Sequence, residues 1–192
     1  MKLLINEFIK DYKKKTTWLY LLLLFGIILL NSYFTKRQFE DGIDAVKILS
    51  GITVVSAALA MVFSLIMLAN NLSQEYSKGT IKFLYTKPKS RSAILTAKII
   101  LAFINYIIFL VVGTVFDFVT KNYVFFKNKV GLNHLNDTIT EGYFGRTVAK
   151  QIIITNLADL AVYIFFVAMV VLVCVVFKTQ ILSASFIASS IS

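Results

Sequence analysis

Four apolar stretches, at 17–34, 48–72, 99–120 and 152–177, divide this chain, and most of its charge falls between them. The first rises about 27 Å as a helix at 1.5 Å per residue, close to the roughly 30 Å thickness of a bilayer's hydrocarbon core. A helix satisfies its backbone N–H and C=O groups within the segment, which hydrocarbon requires. With 58% apolar residues, a mean hydropathy of +0.77 and only 16% charged residues, the chain reads as an all-α integral membrane protein. Trp18, Tyr20 and Tyr33 stand at the two ends of the first span, where amphipathic rings favour the headgroup level.

The net charge of +10 is a membrane signature here rather than a nucleic-acid one, because Lys and Arg collect in cytoplasmic loops and anionic lipids attract them. Met1–Lys15, Ser73–Lys98 and Lys178 carry twelve basic residues, and the opposite loops carry eight. This bias places the N-terminus in the cytoplasm of a multi-pass cell-membrane protein. The one cysteine, Cys174, excludes a disulfide framework, and His134 has no Cys or His at metal-ligand spacing. Neither a metal nor a cofactor is expected.

Residues 1–15 place Leu4, Ile5, Phe8, Ile9 and Tyr12 on one helical face, with Asn6, Glu7, Lys10, Asp11, Lys13 and Lys14 opposite. That is the pattern of an interfacial amphipathic helix, the alternative being an unstructured basic leader. The second span is rich in small residues (Gly51, Ser56, Ala57, Ala58, Ala60, Ser64), which let backbones approach closely, so it is expected at the bundle's centre. Residues 121–150 read as a polar outer loop. Lys178, Thr179 and Gln180 are expected to break the chain after the fourth span, leaving 181–192 as the start of a fifth helix. On that reading the whole is a single transmembrane domain.

The segment 73–98 carries six Lys/Arg against one acid, Glu75. Gly79 allows a sharp turn, Thr80 can cap a short helix, Ile81, Leu84 and Tyr85 form one apolar face, and Pro88 stops it. A short amphipathic helix on the cytoplasmic face either docks into a partner or lies on the lipid surface.

The order Glu75, Gly79-Thr80, Leu84, Pro88, Ser90-Arg91, Lys98 resembles the transmembrane subunits of type-2 ABC transporters, the permeases that export drugs, peptide antibiotics and polysaccharides. The resemblance implies a coupling helix that seats in a separate cytoplasmic ABC ATPase subunit. Its docking residues would be Glu75, Gly79, Thr80, Ile81, Leu84, Tyr85, Pro88 and Arg91, within a homodimer or heterodimer of permeases. The family unit usually has six spans; four and the start of a fifth are expected here, so the chain reads as a fragment or degenerate copy. The rival class is a membrane immunity or regulatory protein with no ATPase partner.

No G-x-x-x-x-G-K-[ST] occurs, so the chain holds no phosphate cradle of its own, and no hydrolase motif is present. ATP hydrolysis is expected in the partner and no enzymatic activity in this chain. Asp117, Asn156 and Asp159 lie within or beside the spans, and an Asp at a helix centre costs about 2.5–3.5 kcal/mol to insert. They line a substrate path or else pair locally with Lys121, Arg146 or Lys150, or hydrogen-bond to a neighbouring helix.

Overall fold

The computed structural model describes residues 2–39, 44–77, 91–139 and 145–191. Side-chain surroundings are described for 4–39, 44–73, 95–139, 145–174 and 176. The described residues form helices α1 (Lys2–Lys13), α2 (Lys15–Gln38), α3 (Ala45–Ser50), α4 (Ile52–Ser77), α5 (Arg91–Val119) and α6 (Val148–Ile191). A π-helical turn, Thr120–Phe125, extends α5, and a 3-10 turn, Leu132–Asn136, follows it. Among the described residues, four stretches are long and apolar enough to cross a membrane: Lys15–Gln38, Ala45–Ser73, Leu95–Phe125 and Val148–Cys174.

Helix α4 is the centre of the bundle, with 50% of its span buried against α2, α5 and α6. Ser56, Ala57, Ala60 and Ser64 are all buried, whereas Ala58 faces outward. The closest approach involves a glycine on α5. A Cβ on Gly113 would stand 3.0 Å from the Ser56 Cβ and 3.5 Å from both Leu24 and Ile28, so α2, α4 and α5 converge where only a hydrogen fits. Ser56 and Thr114 hydroxyls bond across this contact at 3.0 Å. Gly51 separates α3 from α4, and Asp44 caps α3 by accepting from the Lys47 N–H.

Three expectations change. Helix α6 runs unbroken from Val148 to Ile191, so no separate fifth helix begins at 181. The reason is that the Lys178–Gln180 step contains no Pro or Gly, and three polar residues alone do not stop a helix. The 121–150 segment also carries apolar packing besides its polar residues. Phe126, Val130, Ile139 and Val148 are buried with Ile48 and Leu49 of α3 in a second apolar cluster that caps this end of the bundle. A bridge between Thr138 and Thr147 closes the cap. Finally, Asp11 and Lys14 do not stay on a solvated face of the N-terminal segment. Asp11 is buried, whereas Ile5 and Ile9 are exposed.

Candidate functional site

Polar groups enter this apolar bundle at three levels. The first lies at the end of the bundle that carries α1. Asp11 is 1% exposed and accepts from Lys14 Nζ at 2.9 Å through one oxygen and from Asn71 Nδ2 at 2.7 Å through the other. Lys14 Nζ donates also to the Asn71 Oδ1. Lys98 Nζ, itself buried, donates to the Asn71 backbone oxygen at 2.9 Å. Thr17 closes the turn between α1 and α2 by donating to the Asp11 carbonyl at 2.6 Å. One clasp thus joins α1, α2, α4 and α5. The Asp11 carboxylate and the Lys98 ammonium are tolerated out of water because each has hydrogen-bond partners there, while Lys14 stays partly exposed. A cavity of about 160 Å³ opens beside the clasp between α1, α2 and α4, lined by Asp11, Lys14, Tyr20 and Asn70 among others. Tyr12 adjoins the clasp with its hydroxyl buried and unbonded. Burial, and after it the Asp11 charge, raise its pKa above 10.0.

The clasp brackets the segment expected to dock a partner. Asn71 lies six residues before the end of α4, and Lys98 lies seven after the start of α5. Gly79, Thr80, Ile81, Leu84, Tyr85 and Pro88 lie outside the described residues. Glu75 falls in the last turns of α4 and Arg91 begins α5, with side chains outside the described set. Sequence reasoning missed Asn71 and the inward turn of Asp11. Lys98 was the available signal, since a lysine one turn inside a spanning helix needs an acceptor.

The second level lies at the opposite end. Asp117 is fully buried; Ser32 Oγ donates to one carboxylate oxygen at 3.1 Å, and Lys121 Nζ to the other at 2.8 Å. Lys121 is the second residue of the π-helical turn, where the Phe126 N–H bonds back to the Lys121 oxygen at 3.0 Å. Both oxygens of Asp117 are therefore engaged within the protein.

The third level lies along α6. Asn156, Asp159 and Tyr163 share one helical face, continued by Val167, Val170 and Cys174. Tyr163 is fully buried, donates to the Ala102 carbonyl at 3.0 Å and stacks on Tyr106 at 4.4 Å and 13°. Asp159 is half-buried one turn away, with no hydrogen bond or ion pair among the described residues. Asn156 donates to the Ile152 carbonyl at 2.8 Å, leaving its Oδ1 unbonded. Of the three residues expected along a path, the fold brings Asn156 and Asp159 together and sets Asp117 apart.

Four membrane-length helices around one apolar core define a multi-pass membrane protein. Over residues 3–190 the chain matches the family described as ABC-2 family transporter protein, and it belongs to that family. No curated protein and no solved structure matches it. The family assignment makes the chain a membrane permease component that partners with an ABC ATPase.

Proposed function

We propose that this chain is a permease subunit of an ABC exporter, driven through its 73–98 segment by a cytoplasmic ATPase, with α1 on the cytoplasmic side. The observation that carries the reading is the clasp itself. Family membership supplies an ATPase partner, and Asp11, Asn71 and Lys98 bind together the helices that enter and leave the docking segment. A displacement applied between 73 and 98 would be passed to α1, α4 and α5 together instead of being lost in one loose loop. The α1 helix lies along the membrane interface, with Ile5 and Ile9 exposed for lipid contact. Ile81, Leu84 and Tyr85 seat in the ATPase, and Glu75, Gly79, Thr80, Pro88 and Arg91 shape or fix the segment. Two permeases, identical or different, work as a pair. Asn156 and Asp159 line the route of an exported drug or peptide, while Asp117 is an anchor for α2 and α5.

The test is Leu84→Asp in the complex of permease and ATPase. Substrate-stimulated ATP hydrolysis is expected to fall to its unstimulated rate. Full stimulation in that variant overturns the docking role.

A further inference from the structure

Among the carboxylates of the described core, Asp159 differs from Asp11 and Asp117 in one respect. At the clasp and at Asp117, carboxylates meet ammonium groups. Around Asp159 each unbonded atom is able to accept, the Tyr106 hydroxyl being a donor as well. The Asp159 carboxylate has no partner, Asn156 Oδ1 on the same face is buried and unbonded, and so is the hydroxyl oxygen of Tyr106, a residue 1% exposed. Asn105, also 1% exposed, has an unbonded Oδ1 next to Tyr106 in sequence. Each unmet polar atom in a dry interior is destabilising. A charged carboxylate without a partner inside a span costs more still. The Tyr106–Tyr163 stack beside it adds aromatic surface, which attracts cations through its electron-rich faces.

We propose that this group of acceptors is a binding site for a primary ammonium borne on an apolar body, a cationic amphiphile that enters sideways from the lipid. Asp159 neutralises the ammonium charge, Asn156 Oδ1 and the Tyr106 hydroxyl accept its N–H bonds, and the tyrosine pair packs against the adjacent methylenes. Access is lateral because Asp159 is only half-buried and its neighbours on α6, Leu157 at 61% and Val162 at 47% exposure, face outward. Asp117 cannot serve in the same way, since Lys121 already occupies it. The inference rests on the permease reading for its purpose in transport, but the site stands on its own geometry.

The test uses the full chain with its ATPase in phosphatidylcholine nanodiscs. Dicyclohexylcarbodiimide, which modifies membrane-embedded carboxyl groups, is applied and the label at Asp159 is read by mass spectrometry, with Asp159→Asn as the blank. Decylammonium is expected to protect at a concentration about tenfold or more below that at which decanol or decyl sulfate protects, as a buried charge pair requires. Tyr106→Phe keeps the stack and is expected to weaken protection several-fold. Equal protection by decanol, or none by decylammonium, overturns the site. ATPase recovered without protection overturns this site alone. Protection in a chain that recovers no ATPase overturns the permease reading and leaves the site in place.

Discussion

The two ends of the bundle bury charge in opposite ways. At the cap end, Asp117 and Lys121 are four residues apart on one continuous helical stretch, and among the described residues Ser32 is the one group from elsewhere that bonds to the carboxylate. At the α1 end, Asp11 and Lys14 form an equally short pair, but Asn71 and Lys98 draw in α4 and α5. The cap-end pair can persist whatever the other helices do, because its geometry is set within one stretch of chain. The α1-end clasp exists only while three separate segments stay in register. A local pair seals an end, whereas a shared one reports and transmits the relative position of helices.

Several measurements would break or sharpen this contrast. The largest loss is expected from Asp117→Ala, which strands Lys121 at 4% exposure without its counter-charge. Breaking one half of a buried pair costs about 3–5 kcal/mol, to be read by thermal unfolding in detergent, while ATPase coupling in the surviving folded fraction stays unchanged. Asp11→Asn keeps the shape of the clasp and removes its charge. It is expected to cost about 1–3 kcal/mol and, unlike the Asp117 variant, to reduce coupling. If the two variants exchange these coupling effects, the distinction between seal and transmitter fails.

Gly113→Ala introduces a Cβ 3.0 Å from Ser56 without touching any charge. Its expected cost is about 1–3 kcal/mol by overpacking, and the same unfolding assay shows whether loosening α2, α4 and α5 mid-bundle uncouples them as strongly as the clasp does. The smallest effect belongs to Tyr12→Phe, since the hydroxyl it removes is buried and unbonded; stability should change by less than about 1 kcal/mol. The pH signature is clearer than the magnitude. Tyr12 has a pKa raised by burial and by Asp11, so the folded state holds its proton more tightly than the unfolded one does. Its contribution is intact below the ordinary value of 10.0 and declines as pH rises above it. Tyr12→Phe should remove that part of the alkaline decline.

The four spans were legible because hydrocarbon leaves a chain few choices: a run of apolar residues of sufficient length carries its own evidence. The central place of α4 was legible for a related reason, since Ser56, Ala57, Ala60 and Ser64 advertise close packing where lipid supplies no drive to associate. Gly113, which makes the tightest contact, gave no such signal, because one glycine in a spanning helix is ordinary and only the arrival of Ser56 makes it necessary. The apolar cap was hidden because its members, Phe126, Val130 and Ile139, are spaced by loop geometry and not by a helical or strand period.

Asp11 shows the same division at a single residue. Read along α1 alone, its position opposite Leu4, Phe8 and Tyr12 assigns it to a polar face that should meet water. Its carboxylate is met by Asn71, 60 positions further along the chain (71 − 11), and Asn71 is in turn held by Lys98. Thus the amino-acid sequence by itself determined where the four apolar spans fall, because that follows from local transfer into lipid. The tertiary structure alone decided which charges are matched and which acceptors around Asp159 are left open, because pairing depends on distances between helices that no local pattern encodes.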